Sequence, residues 1–395
     1  MEQPDTARWN STSGFPALID AARSLAPEIR RRSAEFEAAR RLPADLARKI
    51  AERGLFRLWA PKIHGGFEMP PVDAMRVIEE VSQSDGSVGW CVMIAVVSSL
   101  LGGYLPPEGA EEVFGREPLS IVGGALAPTG KAVAVEGGYR VSGKWNWGSG
   151  TQNCQWIVGT CFVSRGSDGA TGGAAVPEVA QVFFLADQVE ILDTWNVSGL
   201  CGTGSHDFQT TDAFVPIHRT LSIGRPTLNT PLYRCPFSGL GAAAVSAVSL
   251  GIARRAIDEF ITLARDKIPT LDRRALAESA RVQAWVAEAE AALGSARAYL
   301  FDTLDVVWQE AQSSTSSLAA RRNLRLAAAN AAWRSANAAD LMYSAGGGSS
   351  VHATSPLQRC FRDAHVATQH IAVNPTVYEN AGRLFLFDGP EPAGF

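Results

Sequence analysis

Side chains able to do chemistry fall in four short stretches. Six histidines occur in 395 residues, and two of them, His365 and His370, share RCFRDAHVATQHIAVNP (359–375), with His352 just upstream. On a helix a spacing of five sets the two rings about 140° apart. Helical metal pairs use a spacing of four with a further ligand nearby, so no metal site is expected here. The pair can supply a general acid/base or a hydrogen-bond donor lining a pocket. It can equally be structural, with one ring in the core and one exposed.

The second stretch, GGYRVSGKWNWGSGTQN (137–153), runs through Trp145 and Trp147 into Gly148-Ser149-Gly150. Small residues there let a flat ligand approach the backbone, with a hydroxyl from Ser149 and an apolar wall from the indole. The plain alternative is a strand end with its aromatics in the core. The third, DTWNVSGLCGTGSHDFQTTDAFVP (193–216), interleaves Gly199, Gly202 and Gly204 with Thr203 and Ser205. Such a loop can offer N–H groups and hydroxyls to a phosphate or flavin edge, or be an ordinary polar turn. It is not GxGxxG and lies among strands, which argues against a dinucleotide fold. In the fourth, SDGSVGW (84–90), a helix start beside Trp90 can face a ligand or simply be capped by Asp85 or Ser87. No nucleophile elbow, P-loop, HExxH or kinase signature is present.

Three zones must position these stretches. From Pro16 to about Arg116 the pattern is helical: LPADLARKIAERGLF has Pro43 near a helix start and Gly54 near its end, and VDAMRVIEEVSQSD repeats apolar residues at three and four. From about Leu119 to Arg225 the period becomes two. KAVAVEGGYRVSGKWNW predicts a hairpin around Gly137-Gly138, and CQWIVGTCFVS, AQVFFLADQVEIL and HDFQTTDAFVP continue as strands. RGSDGATGGAAVPE, from Arg165, predicts a surface loop. From Pro236 to about Asn380 long helices return. Val282, Trp285, Val286, Ala289, Leu293, Ala296 and Leu300 form one stripe, and a second, alanine-rich helix ends at Gly346, Gly347 and Gly348. The small faces of both permit close bundle packing, with surface left over for other subunits.

At this length several domains or subdomains are expected. Apolar residues make up 46% of the chain and the formal charge is −4, which gives no electrostatic case for nucleic acid or an anionic membrane. The six scattered cysteines form no CxxC pair, so a reducing cytoplasm is expected. MEQPDTARWNSTSGF has no hydrophobic signal region, and WCVMIAVVSSLLGGYL, from Trp90, is too short and interrupted to span a bilayer.

The order of the zones, with SDGSVGW, APTGKAVAVEGGYRVSGKWNWGSG, DTWNVSGLCGTGSHDFQTTDAFVP and SPLQRCFRDAHVATQHIAVNP, resembles the acyl-CoA dehydrogenase superfamily over almost the whole chain. Within it the chain looks most like the oxygenase components of two-component (group D) flavin-dependent monooxygenases. The resemblance implies an α+β architecture: an N-terminal helical domain (1–118), a central β-barrel or sheet domain (119–229) and a C-terminal four-helix bundle (230–395). It also implies a homotetramer, with flavin between the β domain and the bundle. The superfamily's Trp-x-Thr is matched by Trp147-Gly148-Ser149, which implies Trp147 as a flavin wall and Ser149 as a hydrogen-bond donor to flavin N5. Trp90, Thr203 and Ser205 are further flavin-binding candidates.

Departures choose between branches. The dehydrogenases' catalytic glutamate lies nine residues after the arginine of an Arg-Asp pair. Counting from Arg362, that position is Ile371, and the preceding tyrosine position is His370. An isoleucine accepts no proton, so α,β-dehydrogenation from there is disabled. The monooxygenases use a histidine in this region, which His370 matches. ARDKIPTLDRR lacks the Arg-x-x-Phe-Gly segment that helps hold an FAD pyrophosphate, and Cys201 stands where an arginine is frequent. The resemblance therefore implies reduced FMN or FAD delivered by a separate NAD(P)H:flavin reductase, O₂ as co-substrate, and hydroxylation of an aromatic or polycyclic molecule through a C4a-hydroperoxide. His370 would serve as acid/base, with His365 as a second candidate. An FAD dehydrogenase or oxidase, an N-hydroxylating or sulfur-oxidising enzyme on the same scaffold, and a non-enzymatic scaffold remain the alternatives.

Overall fold

The computed structural model describes residues 14–164, 178–270 and 272–387. The loop expected from Arg165 lies, except for its last residue, outside the described residues, as does most of the N-terminal polar stretch. Helix α1 (Phe15–Ala39) opens with a proline in its first turn and closes at Arg40 in the left-handed region. It is followed by α2 (Ala44–Glu52), α3 (Pro71–Ser82), α4 (Gly86–Leu100) and the single turn α5 (Pro107–Ala110). Asp85 caps α4: its Oδ1 accepts the N–H groups of Ser87 at 2.9 Å and Val88 at 3.4 Å.

The described residues in the middle of the chain form one seven-stranded sheet. In chain order its strands are β1 (Val122–Val135), β2 (Gly138–Gly148), β3 (Trp156–Ser164), β4 (Val179–Leu185), β5 (Glu190–Leu192), β6 (His206–Pro216) and β7 (Thr220–Leu221). In space they run β5-β6-β2-β1-β3-β4-β7. The β1–β2 hairpin turns where expected, with Val135 opposite Gly138 and Gly137 at φ +78°. Among the described residues only the β1–β3 pairing is parallel. Trp145 fills the centre of this zone, fully buried and stacked on Phe208 at 5.2 Å. Gly130, Gly143 and Gly159 make room for its ring, since a Cβ on any of them would come within 3 Å of the indole.

After the turn α6 (Pro231–Arg234) come α7 (Phe237–Asp266), α8 (Ala280–Ala311), α9 (Leu318–Gly346), α10 (Pro356–Thr368) and α11 (Thr376–Leu386). Alanines and serines let α7 and α9 approach closely enough for Ser246 Oγ to donate across to Ala328 O at 2.7 Å. The stripe on α8 buries Val282, Ala289, Leu293, Ala296 and Leu300, with Trp285 and Val286 at its margin. Two stretches, Gly86–Gly103 and Phe237–Asp266, are long and apolar enough to cross a membrane by length and composition, but 89% of each window is buried inside this fold. They are the packed centre of the helical zones.

Candidate active site

Two residues of the WNWGS segment part company because of a bulge. Simple alternation puts Trp145 and Trp147 on one face. The β2–β6 register shifts between Trp145 and Gly148, and Trp147 takes φ +62°, so the strand rotates locally. Trp145 stays in the core while Trp147 is 69% exposed.

Behind the bulge runs a chain of hydroxyls. The Trp90 Nε1–H of α4 donates to Ser149 Oγ at 3.1 Å. Ser149 and Ser205 are joined at 2.6 Å, as are Ser205 and Thr203. Thr203 Oγ1 donates to the Leu200 carbonyl at 2.8 Å. Each hydroxyl has one proton, and a carbonyl only accepts. Thr203's proton is therefore spent on Leu200, Ser205 must donate to Thr203, and Ser149 must donate to Ser205. Ser149 is only 4% exposed. This differs from the expected donor role of Ser149 toward a flavin, because its only proton is directed inward. Thr203 and Ser205 are likewise buried and engaged within the protein rather than presented to a phosphate.

The glycines of the same loop serve its packing. A Cβ on Gly199 would lie 2.4 Å from Arg362 O of α10, and one on Gly202 would lie 2.7 Å from the Phe36 ring of α1. Leu200, at φ +51°, donates its N–H to Asp363 Oδ1 at 2.5 Å. Thr194 and Trp195 both donate their N–H groups to His206 Nδ1 at 3.1 Å. Where Cys201 replaces the arginine, Arg362 brings a guanidinium to 4.0 Å from its sulfur from the neighbouring helix.

His370 does not lie on a helix with His365. Helix α10 ends at Thr368, and His370 sits in the turn that follows, ahead of Asn374-Pro375, where the residue before proline resists helical geometry. This turn is tied on three sides. Ala372 N–H donates to His370 Nδ1 at 3.2 Å, Val373 N–H donates to His370 O at 3.0 Å, and the Trp333 indole of α9 donates to Val373 O at 3.0 Å. With Nδ1 accepting, the neutral ring carries its proton on Nε2. Burial, aided by the Arg325 guanidinium, pushes the imidazole pKa down to about 4, so the ring is neutral at pH 7. It meets the Trp90 indole edge-on at 5.6 Å. His370, Trp90 and Ser149 thus form one continuous constellation, with Ser205 and Thr203 behind it.

His365 stands outside that constellation. Its Nε2 pairs with Asp340 of α9 at 2.7 Å, and its ring packs edge-on against Phe361. Trp333 escaped the sequence reading because an indole in an alanine-rich helix looks like core. Only its distant carbonyl partner reveals that it holds the His370 turn.

The acyl-CoA dehydrogenase N-terminal domain model matches residues 16–113, and the C-terminal domain model matches residues 243–375. Indole-3-acetate monooxygenase of Pseudomonas putida is 33% identical over 384 residues, covering 97% of this chain and 95% of that protein. The chain belongs to the acyl-CoA dehydrogenase superfamily, among its flavin-dependent monooxygenase oxygenase components. Two solved structures of this branch share its fold. The HsaA monooxygenase of M. tuberculosis gives a TM-score of 0.88 at 26% identity, covering 96% of this chain and 100% of that one. XiaF from Streptomyces sp., in complex with FADH2 and glycerol, gives 0.87 at 25%, covering 96% and 98%.

Within this family the residues present suit a flavin. Trp147 offers an exposed flat ring, and Ser149 keeps one lone pair after accepting from Trp90. His370 supplies a neutral N–H donor. At the position where the dehydrogenases keep glutamate, Ile371 is 77% exposed and has no acid/base function, and no carboxylate occurs from Gln369 to Asn374.

Proposed function

We propose that this chain uses a reduced flavin, FMN or FAD, delivered by an NAD(P)H:flavin reductase, to place one oxygen atom of O₂ on an aromatic or polycyclic small molecule. The net reaction balances as substrate C–H plus O₂ plus reduced flavin giving C–OH, water and oxidised flavin. The bound flavin would supply the two electrons and activate O₂. The observation that carries this reading is the neutral, Nε2-protonated His370 against Trp90, beside an isoleucine where a dehydrogenase needs its base.

The residues divide the work as follows. Trp147 and Ser149 hold the flavin. Trp90 and the apolar face of α4 exclude water, which limits loss of oxidising equivalents as hydrogen peroxide. The Nε2–H of His370 hydrogen-bonds the oxygen being transferred or the substrate's phenol-type hydroxyl, a contribution of roughly 10²–10⁴-fold in rate. The relatives named for indole-3-acetate and resorcinol support an aromatic substrate. The small-residue helix faces support a homotetramer, and a cytoplasmic setting fits the unpaired cysteines.

The deciding experiment supplies chemically reduced FMN or FAD and ¹⁸O₂ to the purified protein with a panel of phenols and indoles. The expected result is one ¹⁸O in the product. A protein that purifies yellow with FAD and bleaches with acyl-CoA, without incorporating ¹⁸O, would instead be a dehydrogenase.

A further inference from the structure

The hydroxyl chain behind Trp147 has a fixed direction, and that direction decides what Ser149 can offer a ligand. Starting from the Leu200 carbonyl, each proton is committed in turn: Thr203 to Leu200, Ser205 to Thr203, Ser149 to Ser205. The Trp90 Nε1–H occupies one lone pair of Ser149 Oγ. What remains is a single acceptor site with no proton behind it. A ligand atom meeting Ser149 must therefore be a donor. An acceptor there would face lone pair against lone pair, at a site too dry for water to relieve it.

Flavin changes in the same respect on reduction. The N5 atom of the reduced isoalloxazine carries a hydrogen, whereas N5 of the oxidised ring is a bare acceptor. We propose that Thr203 and Ser205 are positioning residues that hold Ser149 as a pure acceptor, so that the site takes reduced flavin in preference to oxidised flavin. This rests on the flavin reading above and deepens it. The far end of the chain is anchored independently, because Leu200 is itself held through its N–H by Asp363 of α10 and receives the Trp195 indole on its carbonyl at 3.2 Å. Helix α10, which does not touch Ser149, thereby helps to fix the polarity of its hydroxyl through the loop, just past the end of β2.

The test measures dissociation constants of oxidised and reduced FMN and FAD, the latter under anaerobic conditions, by tryptophan-fluorescence titration. Wild type is compared with Ser205→Ala, Thr203→Val and Ser149→Ala, with Tm recorded for each. Wild type should bind the reduced form more tightly. Ser205→Ala removes the acceptor of Ser149's proton, and Thr203→Val lets Ser205 turn its proton back onto Ser149. Either change frees a donor toward N5. Both should tighten oxidised flavin, lowering the oxidised-to-reduced ratio of dissociation constants about tenfold, equivalent to ~1.4 kcal/mol. Ser149→Ala should lower the same ratio by the opposite route, weakening the reduced form.

A merely structural role would weaken both redox forms together. That pattern, or an unchanged ratio in whichever of Ser205→Ala and Thr203→Val keeps its Tm, overturns the proposal. Equal binding of both forms by wild type overturns it while leaving the flavin reading intact. Failure of wild type to bind either form overturns both.

Discussion

His370 combines an unusually low pKa with a fixed tautomer, and both features bear on its use. Because burial lowers its pKa to about 4, the ring stays neutral across the range in which an ordinary histidine titrates near 6.5. The rate profile of the wild-type enzyme should therefore show no inflection near pH 6.5 from this group. The same shift has a stability consequence. The unfolded chain takes up this proton near pH 6.5 and the folded chain only near 4, so the group's contribution is lost as pH falls between those values. His370→Asn should remove that part of the pH dependence of Tm. It should also cut product formation by roughly 10²-fold or more while hydrogen peroxide release per flavin oxidised rises. Product formation at the wild-type level would rule out the role given to His370. The matching variant His365→Ala should leave product formation near wild type, because that ring pairs with Asp340 away from the constellation.

Elements, rather than single residues, set the geometry around that ring. The turn after α10 hangs on the indole of Trp333. In Trp333→Phe the buried Val373 carbonyl loses its donor, at a cost of about 1–3 kcal/mol. Amide exchange over residues 369–375 should then speed up, and product formation should fall without loss of the fold. Likewise Gly199→Ala forces a Cβ against Arg362 O. Overpacking of this kind costs about 1–3 kcal/mol, and a lowered Tm together with weaker flavin binding would register the loop lifting from α10; an unchanged Tm would refute that close contact. The helices and most strands were legible in the sequence because apolar spacing reports burial directly, as at Val282 to Leu300 on α8. The bulge was not legible. Alternation gives Trp145 and Trp147 the same face, and only the pairing with β6 shows the extra residue. The end of α10 before His370 was also hidden, since apolar spacing continues past Thr368. The hydroxyl chain joins the turn after strand β2 to a loop over 50 residues away, which no local pattern encodes.

At the scale of the whole molecule, one buried pair sits where the helical zones meet the loop between β5 and β6. Asp85 caps α4, and Asp363 of α10 holds the Leu200 N–H with Oδ1 while its Oδ2 lies 3.0 Å from where a Cβ on Gly86 would stand. Burial raises both carboxyls above their usual range, and the charge of Asp85 adds to the upward shift of Asp363. Around them lie Arg255, whose guanidinium donates to Ser84 O, and Arg359 and Arg362, which both pair with Glu37 of α1. A carboxyl whose folded pKa is raised keeps its proton after the unfolded chain has released it near pH 4. Its stabilising contribution is thus greatest in acid and shrinks as pH climbs toward neutral. Asp363→Asn keeps an acceptor for Leu200 but cannot ionise, so the wild-type minus variant difference in Tm should grow more unfavourable to wild type from pH 5 to pH 7; a constant difference would show the carboxyl to be ionised throughout. The outward indole of Trp147 has a different use. Most tryptophans described in this fold are shielded by protein, whereas this one emits from the surface where a flavin would stack. Flavins absorb in the region of indole emission, so occupancy should dim this ring more than the others. Trp147→Phe should therefore lose a large part of the flavin-induced quenching, and the wild-type protein can report its own loading without a label.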